Sequence, residues 1–212
     1  MANIISANDP ECIPYAVQLL RAGELVCFPT DTVYGIGAVA TNDEAVRRLY
    51  AVKGRSPDKP VPLLIANSLE AREIADFPPV ANQLITRFWP GALTIVFNKL
   101  PAFHSAALAK QQTVALRVPA HDVVTDLIRA VGQPITGTSA NRAGARAPIS
   151  AAEVGFGLGE MAALVIDGGR TPGGIESTVV DVSAGAPRIV REGAVGRREI
   201  EECLGRPLGD AK

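Results

Sequence analysis

The chain is poor in the residues that build metal centres and covalent frameworks. Its three cysteines, Cys12, Cys27 and Cys203, are odd in number, widely spaced and never in a CxxC pair. That argues against a disulfide framework and against a zinc site. Its two histidines, His104 and His121, fall in no HExxH pattern, so a histidine-based metal site has no support. Net charge is nearly absent: 21 Lys+Arg against 22 Asp+Glu leave −1. Such a balance argues against a polybasic protein that holds nucleic acid by bulk electrostatics. Long apolar runs are missing as well. The longest uncharged stretch is the 12 residues Ala130–Asn141, too short to span a bilayer. The opening MANIISANDPEC lacks the basic segment and apolar run of a secretory leader. These absences predict a soluble, cytoplasmic protein with no membrane partner.

What is present is globular. The 212 residues are 47% hydrophobic and 20% charged, with Gly and Pro spread as turn punctuation rather than gathered in a linker. We expect a single domain over 1–212, with its core at about 10–195 and a short C-terminal tail. Lysine is scarce beside arginine, 5 against 16; a GC-biased genome accounts for most of this, although guanidinium also suits carboxylate and phosphate recognition.

Apolar periodicity alternates strands with helices. Helices are predicted at 10–21, from an Asn42 cap to Gly54, at 68–75, 80–88, Asp122–Val131 and 197–204. Strands are predicted at Leu25–Phe28, 62–66, 92–97, 113–118, 134–138, 163–167, 177–182 and 187–191. The short link between the last two suits a hairpin, so the expected α/β fold has a twisted, mixed parallel and antiparallel sheet flanked by helices.

Four segments carry candidate chemistry. Arg47, Arg48, Lys53, Arg55 and Lys59 crowd into 13 residues. Two cations about 4 Å apart repel by about 4 kcal/mol at an effective dielectric of 20, so such a cluster is either splayed into solvent or completed by an anion. The run KGRSPDKP, with its Gly and two Pro, favours a shaped loop. In FPTDTVYGIG, Thr30, Asp31 and Thr32 offer small oxygen-bearing side chains, and Gly35 and Gly37 allow close backbone approach. It matches no phosphate-loop pattern and also reads as an ordinary polar turn. PITGTSANRAG approaches the GxSxG nucleophile elbow, but Asn141 replaces the second Gly. Ser139 and Asn141 therefore suit hydrogen bonding better than attack. GGRTPGGIESTVVDVS reads as a glycine-rich loop delivering Ser177 and Thr178 to a strand, with Arg191 ending the next one.

Five blocks occur in order: PTDTVYGIG, LYAVKGR with the following DKP, TVALRVP, TSAN and GIESTVVD. Together they closely resemble the YrdC/Sua5 family, the threonylcarbamoyl-AMP synthases. The resemblance implies a YrdC-like fold with a concave ligand cleft. It also implies a reaction of L-threonine, bicarbonate and ATP giving threonylcarbamoyl-adenylate and pyrophosphate. That product would feed a separate transferase complex acting on adenosine beside the anticodon of tRNA. By family pattern, Lys53 and Arg55 are catalytic. Thr32, Arg117, Ser139 and Ser177 hold threonine and its carbamate, and Arg55, Lys59, Thr113, Asn141 and Arg191 contact ATP. Mg²⁺ is expected on the phosphates, where few protein ligands are needed.

The chain departs from the family's longer members, which continue into a linker and a second domain; it resembles the short, single-domain type. Leu64 stands where the family often has His or a polar residue. Ile149 and Ser150 align only loosely with an ATP-side hydroxyl position. The competing reading is a double-stranded RNA module using the same basic surface, in which Thr32, Ser139 and Ser177 would have no purpose. A related carbamoyl-adenylate chemistry in hydrogenase maturation needs Cys-rich zinc fingers, which three scattered cysteines do not supply.

Overall fold

The computed structural model describes residues 2–210. In chain order the elements are β1 (Ile4–Ser6), α1 (Cys12–Arg21), β2 (Val26–Phe28), β3 (Gly35–Gly37), α2 (Asp43–Lys53), β4 (Leu63–Leu64), α3 (Ser68–Ile74), α4 (Pro79–Phe88), β5 (Leu93–Asn98) and β6 (Thr113–Arg117). There follow α5 (Asp122–Val131), β7 (Ile135–Thr136), β8 (Thr138–Ser139), α6 (Ala151–Gly157), β9 (Leu164–Asp167), β10 (Thr178–Asp181), β11 (Arg188–Arg191), α7 (Arg197–Leu204) and β12 (Gly209–Asp210). Among the described residues no helix is long and apolar enough to cross a membrane.

The strands divide between two mixed sheets, ordered β1-β9-β2-β3-β8 and β12-β11-β10-β5-β6-β4-β7. The mixed character expected from the sequence is present in both. β10 and β11 form the antiparallel hairpin, while β10 runs parallel to β5. The predicted strand 134–138 is in fact two. β7 pairs with β4 in one sheet and β8 with β3 in the other. Gly137 is the crossing point, and a Cβ there would lie 2.4 Å from Leu64 Cγ, so no other residue fits without displacing that side chain.

Two apolar clusters hold the sheets to their helices. Leu49, Leu84, Phe97 and Ile200 belong to the larger, and Leu20, Leu127, Phe28 and Ile166 to the smaller. The helix that matters most to the site is α2. The Asn42 side chain accepts the Ala45 N–H at its start, and Asp43 and Glu44 complement the dipole. Gly54, in the left-handed conformation at φ 61°, ends it. Val46, Leu49 and Tyr50 are buried, as their spacing requires. This fixes where Lys53 must emerge.

Candidate functional site

A cavity of about 600 Å³ opens where the two sheets meet. Its walls include β3, the C-terminal end of α2 with the loop after it, β4, β8 and the ends of β6 and β11. Of the residues singled out from the sequence, Thr32, Lys53, Arg55, Lys59, Arg117, Ser139, Asn141, Ser177 and Arg191 all line it. Chain separations of more than a hundred residues are closed here by strand pairing.

The cationic group splits. Arg47 and Arg48 are exposed, and Arg48 pairs with Glu24 at 2.7 Å. Lys53, Arg55 and Lys59 face the cavity. Lys53 is buried, and its Nζ donates to the carbonyls of Ser139 and Asn141, the latter at 2.8 Å. It thereby ties the end of α2 to the turn after β8. Burial, and then the nearby Arg55 charge, lower its pKa to about 8. Arg55 donates from Nε to Lys59 O (3.2 Å) and from Nη2 to Pro60 O (2.8 Å), while Tyr50 Oη donates to Lys59 O (2.9 Å). The 54–60 segment is thus a shaped loop rather than a continuation of the helix.

Arg117 ends β6 almost completely buried. Its Nε donates to Gly91 O (2.9 Å), Nη1 to Thr32 Oγ1 (3.2 Å) and Nη2 to Asp31 Oδ1 (2.6 Å). Thr30 Oγ1 lies 2.9 Å from Thr32 Oγ1, donates to Val33 O and accepts the Thr32 N–H, so the turn is held by its own hydroxyl. A matching arrangement stands across the cavity. Ser177 Oγ and Thr94 Oγ1 are 2.8 Å apart, and Arg191 donates from Nη2 to Ser177 O (2.8 Å) and from Nη1 to Glu176 (2.7 Å). Asn141 uses Nδ2 on the carbonyls of Arg142 and Ala145.

Thr113 begins β6, opposite Asn98, and is not among the residues that line the cavity. Four residues of extended chain, about 13 Å, separate it from Arg117, which ends the same strand. The glycine-rich segment 168–176 is fastened at several points. Tyr34 Oη donates to Gly169 O (2.6 Å), and the N–H groups of Gly174 and Thr171 bond Thr32 O and Ile149 O. Burial, then Asp167, push the Tyr34 phenol up to about 12, so it stays protonated. Ser150 caps α6 and Leu64 lines the cavity.

Sequence reasoning missed Thr94 and Glu176, which also line the cavity, and missed Asp31 as the partner of Arg117. Thr94 gave no signal, because it lies inside an apolar strand and only the β5–β10 pairing brings it to Ser177. Of the two glycines thought to admit a ligand, only Gly35 lines the cavity. Gly37 instead admits Thr136 O, 2.4 Å from where its Cβ would be.

A buried arginine with hydroxyl partners, a cationic loop and a second arginine in one cavity define an α/β domain for small anionic ligands. The chain belongs to the Sua5/YciO/YrdC family, whose model, described as telomere recombination, matches residues 18–193. It is similar to the threonylcarbamoyl-AMP synthase of Bacillus subtilis, 40% identical over 203 residues that cover 95% of this chain and 58% of that protein. A Mycobacterium tuberculosis relative is 38% identical over 211 residues, covering 97% of this chain and 96% of its own. Among solved structures, Pyrococcus abyssi Sua5 complexed with L-threonine superposes with a TM-score of 0.93 at 36% identity. That match covers 100% of this chain and 62% of the other. The chain therefore spans less than two thirds of the longer relatives.

Proposed function

We propose that the chain is a nucleotidyltransferase, an L-threonylcarbamoyladenylate synthase that converts L-threonine, bicarbonate and ATP into threonylcarbamoyl-AMP and pyrophosphate. The observation that carries this reading is the meeting in one cavity of Arg117 with Thr32, Arg191 with Ser177, and the Lys53–Lys59 loop. The name of the Bacillus subtilis relative and the threonine complex of the Pyrococcus abyssi protein support it.

Bicarbonate and the threonine amine condense with loss of water to a carbamate, whose oxygen attacks the α-phosphorus while pyrophosphate leaves in line. Such a step asks for alignment and charge neutralisation rather than a covalent nucleophile. Lys53 and Arg55 serve the transferring phosphate, and Lys59, Asn141 and Arg191 hold the nucleotide. Thr32, Arg117, Ser139 and Ser177 hold threonine and its carbamate, Arg117 through its carboxylate-matching fork. The mutual repulsion of the loop cations is relieved when triphosphate enters.

Among the described residues no cluster of His, Cys, Asp or Glu suits a metal ion, and Glu176 is the one carboxylate lining the cavity. That donor set fits Mg²⁺ carried on the phosphates with most of its waters retained; Glu176, whose Oε2 is held by Arg191, would offer at most its other oxygen. When bound, Mg²⁺ disperses the negative charge of the triphosphate. Double-stranded RNA is the weaker reading, since the paired hydroxyls would serve nothing there. We place the reaction in the cytoplasm, ahead of a separate threonylcarbamoyl transferase complex that modifies tRNA.

The test is pyrophosphate release with ATP, Mg²⁺, bicarbonate and each amino acid in turn. Release that needs both bicarbonate and L-threonine supports the synthase. Absence of threonine-dependent release, together with salt-sensitive binding of double-stranded RNA, overturns it.

A further inference from the structure

Asp31 stands in the polar turn between β2 and β3, yet it does not line the cavity. Its Oδ1 accepts two N–H groups, Arg117 Nη2 at 2.6 Å and the backbone of Ala120 at 3.1 Å. The first sets the guanidinium; the second ties the turn after β6, and so the backbone that carries Arg117, to the turn after β2. Side-chain exposure is 7% for Arg117 and 15% for Asp31, so this ion pair is largely removed from solvent screening. Arg117 also feels the charge of Arg191, and Asp31 offsets that repulsion from behind.

The fork is not consumed by these contacts. A guanidinium carries about five N–H donors; Gly91 O, Thr32 Oγ1 and Asp31 Oδ1 take one from Nε, one from Nη1 and one from Nη2. One N–H is left on each Nη, and a carboxylate is recognised bidentately when two such groups point the same way, which is why the orientation of the fork matters. Asp31 is itself immobilised. Thr30 Oγ1 accepts the N–H groups of Thr32 and Val33, and Gly174 N–H bonds Thr32 O from the glycine-rich segment.

We infer that Asp31 is a positioning residue for amino-acid recognition: without touching the substrate, it holds Arg117 oriented so that its two free N–H groups receive the substrate carboxylate. This rests on the assignment of Arg117 to threonine, and the experiment separates the two. Binding of L-threonine and of ATP is measured separately by calorimetry on the unaltered chain, Asp31→Asn and Asp31→Ala, with the melting temperature of each. Without Asp31 the Nη2 side of the fork and the turn at Ala120 lose their anchor, and misplacement of a recognition group by a fraction of an ångström costs on the order of tenfold or more. Asp31→Ala is therefore expected to lose that much L-threonine affinity while ATP affinity stays within about twofold. Asp31→Asn, whose amide oxygen still accepts both N–H groups, is expected to fall between. In the pyrophosphate assay the loss appears in KM for L-threonine rather than in kcat.

Unchanged L-threonine affinity in either folded variant overturns the inference. So does an equal loss for both ligands that tracks the melting temperature, the mark of a merely structural residue. Should Asp31→Ala fail to fold, Asp31→Asn decides. If the unaltered chain binds ATP but no L-threonine, the threonine reading of Arg117 falls and takes this role with it.

Discussion

Lys53 concentrates the chemistry of single residues. It is an ammonium 4% exposed, resting on two backbone carbonyls beside another cation. Replacing it with Met keeps the stem and removes the charge. Loss of one preorganised donor costs roughly 10²–10³ in turnover, so Lys53→Met and Arg55→Ala are each expected to lose at least about 100-fold in pyrophosphate release with an unchanged circular dichroism spectrum. Full activity in either variant would show that the anion site has been misassigned. The lowered pKa also fixes the sign of a pH effect. Between about 8 and the ordinary 10.5, unfolded chains hold a proton that folded chains have released. Unfolding then takes up a proton, so this contribution to stability rises with pH across that window, and below it the cost of burying the charge is felt in full. Urea titrations at both ends of the window should show the rise in the unaltered chain and not in Lys53→Met. Triphosphate prefers the charged form, so KM for ATP should climb as pH passes about 8. A flat KM across that range would separate Lys53 from the nucleotide.

At the scale of elements, the site depends on where strands change sheets. Gly137 passes the chain from β7 to β8 across Leu64, with a built Cβ 2.4 Å from that side chain's Cγ. Gly137→Ala should therefore destabilise by about 1–3 kcal/mol, the usual cost of overpacking. Leu64→Ala in the same chain should recover part of that loss, because the obstacle is a side chain and not backbone. Denaturation midpoints of the two single variants and the double variant decide it; strict additivity would exclude the clash. The legibility of elements followed their local signals. Helix α2 was readable from Asn42 to Gly54, since a cap, an apolar stripe and a left-handed glycine all act within the segment. Helix α5 was read to its observed bounds for the same reason. Strands β3 and β8 were not, because Gly-Ile-Gly and Thr-Ser carry no apolar alternation and become strands only by pairing, β3 with β2 and β8, and β8 with β3.

Over the whole molecule, the cavity joins segments from Phe28 to Arg191, so occupying it couples both sheets. A ligand that binds only the folded chain stabilises it by about 2.7 kcal/mol at a hundred times its Kd. For a chain of this size that corresponds to a rise of roughly 5–11 °C in melting temperature. ATP with Mg²⁺, and L-threonine, are each expected to give such a rise in a thermal scan. No shift with either substrate would remove the cavity from consideration as the site.

The sequence by itself determined every described α-helix except α6 (Ala151–Gly157), most strands, the mixed pairing forced by the short link between β10 and β11, and the residue types that handle anions. These are local matters of capping, periodicity and composition. Helical spacing already turns Arg47 and Arg48 away from the buried stripe of α2; only the tertiary structure decided that Lys53, Arg55 and Lys59 share one cavity with Arg117 and Arg191. It alone joined Thr94 to Ser177 and Asp31 to Arg117. Those pairs are separated by more than eighty positions along the chain, and no local physics links residues that far apart until strand pairing brings them within hydrogen-bond reach.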